Sequence, residues 1–134
     1  MKVSGKKPIE MKDAMKNIKE GCSIVTYNGS SGRADGIHSW LLSREQTIEL
    51  GNLIKKTVEA GKPSRATDFG GGIGQYIITI RDAKSAATHR IITYINGYLV
   101  YNLPRKVFKT DVSALEKWLA ATRKGAVPIK KKKR

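Results

Sequence analysis

Residues Gln75–Leu103, QYIITIRDAKSAATHRIITYINGYLVYNL, decide the fold. Ile, Thr, Tyr and Val dominate the stretch, and Asn96-Gly97 separates two such runs, the pattern of a three-stranded antiparallel meander. Asn-Gly suits a two-residue type I′ turn, because both central residues of that turn need positive φ. A turn of that length pairs Ile95 with Tyr98, Tyr94 with Leu99, Thr93 with Val100 and Ile92 with Tyr101, and so fixes which side chains share a face. One face then holds Arg90, Ile92, Tyr94, Leu99, Tyr101 and Leu103. The other holds His89, Ile91, Thr93, Ile95, Tyr98, Val100 and Asn102; it is the more polar, and the open side is expected there.

Upstream of the meander, Pro8 can occupy the first turn of a helix reaching Glu20, with Met11, Ala14, Met15 and Ile18 at helical spacing and Gly21 as its stop. Ser23–Tyr27 reads as a short strand, and residues 28–36, NGSSGRADG, as a loop. Ile37–Leu42 is a second candidate strand with Trp40 in the core. Ser43 and Gln46 form a capping box for a helix through Ala60. Its apolar side is Leu50, Leu53, Ile54 and Val58, and Gly61 ends it. Gly51 within that helix costs up to about 1 kcal/mol relative to Ala, and close packing against a neighbour is the expected compensation. Downstream, Pro104–Lys109 is a basic segment. Thr110 or Asp111 then caps a last helix over 112–123, with Ser113 and Glu116 as a possible capping box. The fold expected is α+β in the order α-β-α-β-β-β-α: an antiparallel sheet of three to five strands flanked by three helices. Residues 1–125 would form one domain and residues 126–134 a basic disordered tail.

Charge narrows the partners. Lys and Arg number 26 against 11 Asp and Glu, a formal net charge of +15. The closing KKKKR supplies five of these charges, leaving +10 on residues 1–129. Such an excess points to a polyanion, since Lys and Arg over phosphates gain from counterion release and repel one another when unpaired. Nucleic acid is expected first, RNA ahead of DNA, with an acidic protein surface as the other class of partner. The oligomeric state is left open. Cys22 is the sole cysteine, which excludes an internal disulfide and a cysteine-cluster metal site. No stretch has the length of a membrane span or the form of a signal peptide, so a cytoplasmic location is expected, or a nuclear one in a eukaryote, where KKKKR could serve import.

Chemistry-bearing patterns are few. The glycines of Ser64–Gly74, SRATDFGGGIG, lack the Gly-Lys-Ser/Thr of a phosphate loop and the third glycine of a dinucleotide fold, so no cofactor is called for. His38 and His89 lie in different segments, and no spacing suits a metal. Positive charge mixed with tyrosine around the meander is more informative: Arg81, Lys84, Arg90, Arg105, Lys106 and Lys109, opposed within that span by Asp82 alone. Cations of this kind neutralise phosphates, and tyrosine rings stack on unpaired bases at about 1–3 kcal/mol each. With His89, Tyr98 and Asn102 on the polar face, and Lys130, Lys131, Lys132, Lys133 and Arg134 in the tail, these form the candidate nucleic-acid contacts. Tyr94 and Tyr101 are expected in the core beside Ile92 and Leu99.

Residues 43–123 resemble a known family through three matches. Gly74-Gln75-Tyr76-Ile77-Ile78-Thr79-Ile80-Arg81 resembles the Gly-x-Tyr-x-x-x-Ile-Arg strand of the RelE/HigB-type toxins, His89-Arg90-Ile91-Ile92-Thr93-Tyr94 resembles their Arg-Ile-x-Tyr strand, and Lys106–Thr110, KVFKT, lies where some members carry a basic Phe-Val-Lys-Lys-Thr segment. The resemblance implies a metal-independent, ribosome-dependent RNase of a toxin–antitoxin module, cleaving RNA by attack of a 2′-hydroxyl on its own phosphate. Arg81, Arg90, Lys106 and Lys109 would then stabilise charge developing on phosphorus, with Tyr94 or His89 carrying protons. The element order is also loosely that of double-stranded RNA-binding domains and of some integrase arm-binding domains. An inhibitor or anti-defence protein that occupies an acidic protein surface is the remaining class.

Overall fold

The computed structural model describes residues 7–27, 38–65, 76–81, 87–94, 97–102 and 105–130. Over these residues the chain is α+β, with three helices and one antiparallel sheet of eight strands. In chain order the elements are α1 Met11–Lys19, β1 Ser23–Tyr27, β2 Ser39–Leu42, α2 Arg44–Glu59, β3 Lys62–Ser64, β4 Tyr76–Arg81, β5 Thr88–Tyr94, β6 Tyr98–Asn102, β7 Arg105–Lys109, α3 Ser113–Thr122 and β8 Val127–Pro128. Across the sheet the strands run β3-β7-β6-β5-β4-β1-β2-β8.

The expected meander is present as β4-β5-β6, and it continues. Arg105–Lys109, expected only as a basic segment, is the strand β7, and Lys62–Ser64 pairs with its outer edge as β3. At the other end the C-terminal segment departs from the expected disordered tail over residues 126–130. Val127–Pro128 pairs with β2, the Ile129 amide donates to the Ser39 carbonyl at 3.0 Å, and the Lys130 amide donates to the Ile9 carbonyl at 2.8 Å. Pro128 and Ile129 are buried. Two apolar residues at an edge suffice because β2 offers unpaired backbone and α1 offers an apolar stripe, neither visible from the tail's own composition.

The hairpin register differs from the one expected of Asn96-Gly97. Tyr94 pairs with Tyr98, Thr93 with Leu99, Ile92 with Val100 and Ile91 with Tyr101. Three residues therefore separate the paired tyrosines. Gly97 has φ 97° and its amide donates to the Tyr94 carbonyl at 3.0 Å, consistent with a longer loop ended by a left-handed glycine. The conformation expected of Asn96 lies outside the described residues. One added loop residue turns every β6 side chain over relative to β5. His89, Ile91, Thr93, Leu99 and Tyr101 thus share one face, and Arg90, Ile92, Tyr94, Tyr98, Val100 and Asn102 share the other.

Helices α2 and α3 cover the first of these faces. The main core includes Val25, Trp40, Leu42, Leu50, Ile54, Ile78, Ile91, Leu99, Leu115 and Leu119. The Trp40 indole N–H donates to the Thr122 hydroxyl at 3.0 Å within that core. Thr93, expected on the open side, is fully buried beneath α3, where its hydroxyl donates to Glu116 at 2.7 Å. Glu116 therefore makes no capping box with Ser113. The Asp111 carboxylate instead accepts from the Ser113 amide at 2.9 Å and hydroxyl at 2.6 Å. Burial raises the Glu116 carboxyl above its ordinary value, the Thr93 hydrogen bond offsetting part of the effect. The capping box of α2 is present: the Gln46 amide donates to the Ser43 hydroxyl at 3.1 Å and the Ser43 amide donates to the Gln46 side-chain carbonyl at 3.0 Å.

Helix α1 packs on the opposite face, over the β1-β2-β8 end, where Ala14 and Ile18 meet Ile24, Leu41 and Ile129. Among the described residues no helix covers the remainder of that face, on β5, β6, β7 and β3. Gly51 also departs from expectation, since a Cβ placed there meets nothing within 4 Å. The close approach belongs to Gly61, whose Cβ would stand 2.6 Å from the Lys109 carbonyl oxygen and 2.8 Å from the Thr110 hydroxyl.

Candidate nucleic-acid interface

The face left open by α1 is ordered in rows that cross the strands, because partners in an antiparallel ladder share a face. One row runs Lys62, Lys109, Tyr98, Tyr94. A second, two residues along, runs Ser64, Val107, Val100, Ile92, Ile77. A third runs Arg105, Asn102, Arg90, Thr79, with the Arg90 amide donating to the Asn102 side-chain carbonyl at 2.8 Å. The outer rows lie about 13 Å apart, from four residues at the rise of a strand. An apolar strip of Val107, Val100, Ile92 and Ile77 is therefore bordered on both sides by cations.

The eight strands contain six Lys or Arg residues and no Asp or Glu. Five of the six, Lys62, Arg81, Arg90, Arg105 and Lys109, lie on this face, and each is exposed. Lys62 and Lys109 stand directly opposite each other, a pairing that costs stability when nothing neutralises it. The helices, by contrast, mix their charges, as in Lys12, Asp13, Lys16 and Lys19 on α1 and Arg44, Glu45, Glu49, Lys55, Lys56 and Glu59 on α2.

Tyr94 and Tyr98 are cross-strand neighbours, half-buried over the buried valines Val100 and Val107. The expectation that Tyr94 joins the main core is thus corrected, because the Tyr94 side of β5 is the side that α2 and α3 do not reach. Tyr101 does pack against that core, as expected.

The remaining sequence-predicted residues divide as follows. Arg81 ends β4 on the open face, and its guanidinium donates to the Lys19 carbonyl at 3.1 Å, tying the sheet to the C-terminal end of α1. Lys106 shares the helix-covered side with Tyr101. His89 lies on that side too, its ring centroid 6.2 Å from that of Tyr101, bordering a cavity of about 390 Å³ beneath α2 that Gly51, Ile54 and Ile80 also line. The His89 Nδ1 is buried and, among the described residues, has no hydrogen-bond partner. Lys130 pairs with Glu10 at 3.3 Å beside α1. Lys84 and Lys131–Arg134 lie outside the described residues. Of the six residues the toxin resemblance would make catalytic, Arg81, Arg90, Tyr94 and Lys109 share the open face, while His89 and Lys106 belong to the other.

Lys62 and Arg65 are basic residues of this region that carry no sequence signal of their own. Lys62-Pro63 has the form of a stop for α2, and β3 exists only because β7 presents an edge to it. Arg65 borders a groove of about 560 Å³ at that edge with Arg105, Lys106 and Phe108. Between α1 and the open face lies a second cleft of about 540 Å³. Among the described residues no three His, Cys, Asp or Glu side chains come together to hold a metal, and no helix is long and apolar enough to cross a membrane. No protein-family model, curated protein or solved structure matches the chain.

Proposed function

We propose that the open sheet face binds nucleic acid, with single-stranded RNA ahead of DNA. The observation that carries the reading is the segregation of charge: five exposed cations and no carboxylate on the strands of one face, beside a cross-strand pair of tyrosines. A row of like charges repels itself and is compensated by a polyanion that exchanges its counterions for Lys and Arg. Tyr94 and Tyr98 add a flat surface on which unpaired bases stack, an interaction that duplex bases, already stacked, cannot make. RNA goes first because sequence-specific recognition of RNA favours splayed bases with hydroxyl-bearing sugars near them, and this face carries the polar Asn102 and Ser64.

Fluorescence anisotropy with labelled single-stranded RNA and DNA 12-mers, titrated at several salt concentrations between about 50 and 200 mM, tests this. The expected result is tighter binding to the RNA and an affinity that falls steeply as salt rises. Binding that is absent, or indifferent to salt, would refute the reading. Shortening of the RNA during the same incubation, abolished in Arg90→Ala, would turn the reading from binding to the RNase chemistry that the toxin resemblance implies.

A further inference from the structure

We infer that the cleft between α1 and the sheet is a pocket for one unpaired base of the bound strand. The inference rests on the nucleic-acid reading and names the part of the ligand that this end of the face would take.

The cleft, about 540 Å³, lies where the third row of the open face runs under α1. It is of a size that holds small ring systems. Its walls are of two kinds. Met11 and Met15, four residues apart on α1, face the cleft from above, and Ile77 of β4 lies below. Met11 is 41% exposed, an unusual state for a large apolar side chain next to a cavity. Methionine sulfur packs well against the edges and faces of aromatic rings and adapts its rotamer to whatever enters. The polar wall is Thr79, Thr88 and Asn102. The two threonines present hydroxyls that both donate and accept. The Asn102 carbonyl is already taken by the Arg90 amide, so its side-chain N–H groups are the ones left to face a ligand. A flat ring with donors and acceptors on its edge, sandwiched between thioethers and a branched aliphatic, satisfies both walls.

Charge fixes what the ring is attached to. Arg90, exposed at the mouth, belongs to the row that continues through Asn102 to Arg105, and no carboxylate interrupts it. A base in the cleft would have its own phosphate over Arg90 and the next toward Arg105. The occupant is therefore a nucleotide within a chain.

The test compares an oligouridylate 12-mer with a 12-mer of equal phosphate number from which every base is absent, for the wild type and for two cleft-filling variants, Thr79→Met and Thr88→Leu. Thr88 is exposed, so its replacement leaves the core intact. The expected result is that each variant binds oligouridylate about tenfold more weakly, within the range for a single stacked base, while the abasic chain binds wild type and variants alike. If both variants bind oligouridylate as the wild type does, the pocket is refuted and the basic face stands. If the wild type binds neither chain, the nucleic-acid reading fails and the pocket with it.

Discussion

Two glycines near α2 give opposite expectations for the same substitution. At Gly51 an added Cβ meets nothing within 4 Å, and the residue is inside a 16-residue helix. Gly51→Ala therefore gains helix propensity without steric cost, about 0.8–1 kcal/mol. At Gly61, just past the helix, the Cβ would press on the Thr110 Cβ and stand 2.6 Å from the Lys109 carbonyl oxygen. None of these atoms can give easily. The Thr110 hydroxyl donates to the Thr57 carbonyl at 2.6 Å and its amide donates to the Gly97 carbonyl at 2.9 Å, so Thr110 is held between α2 and the hairpin loop. Overpacking of this kind costs about 1–3 kcal/mol. For a chain of 134 residues each kcal/mol is worth roughly 3.6 °C in Tm at the usual unfolding entropy per residue. Differential scanning calorimetry should thus show Gly51→Ala melting about 3 °C above the wild type and Gly61→Ala about 4–11 °C below it. Equal shifts of the same sign would refute the packing assigned to the α2–β7 junction.

Other outcomes follow from single interactions. Thr122→Val keeps the shape but leaves the buried Trp40 N–H without an acceptor, and should cost about 1–3 kcal/mol in urea unfolding, whereas the exposed Ser113→Ala should cost less. Glu116 has a folded pKa raised by burial, so the native state gains stability as pH falls through that pKa and carries a penalty above it. Glu116→Gln should therefore be more stable than the wild type near neutral pH, the difference closing below about pH 4, where the carboxyl is protonated in both folded and unfolded chains; a difference constant with pH would refute it. Gly97→Ala, which forces a side chain onto φ 97°, should destabilise the hairpin by about 1–2 kcal/mol and raise amide exchange in β6 before it does so in β1.

Local chemistry made much of the fold legible. The Ser43–Gln46 capping box, the Ser23–Tyr27 strand and the apolar stripes of α1 and α2 follow from rules that act within a few residues, and the structure has them where the sequence puts them. What escaped the sequence depends on partners distant in the chain. Lys62–Ser64 and Val127–Pro128 are strands only because β7 and β2 present edges. Gly61 resembles a helix stop and is also a point of close approach to Thr110. The register of the Tyr94–Tyr98 hairpin turned on one loop residue: Asn96-Gly97 has the form of a two-residue turn, whereas the strands pair across three residues. That residue decided the site. It put His89 and Thr93 on the face opposite Tyr98 and Asn102. It also placed Tyr94 and Tyr98 together on the face with Arg90, Arg105 and Lys109. The cations were legible from composition; their sorting to one face was not.

If the open face is a polyanion surface, the salt dependence of RNA binding by paired variants reads it directly. The double variant Arg90→Gln/Lys109→Gln removes two cations from the face, and Lys56→Gln/Lys117→Gln removes two from the helix side at the same change in net charge. Each phosphate of a single strand that goes unneutralised lowers the slope of log K against log salt by about 0.7. The face variant should therefore show a slope shallower by about 1.4, with the helix-side variant unchanged from the wild type. Equal effects of the two variants would mean that overall charge, and not this face, holds the RNA.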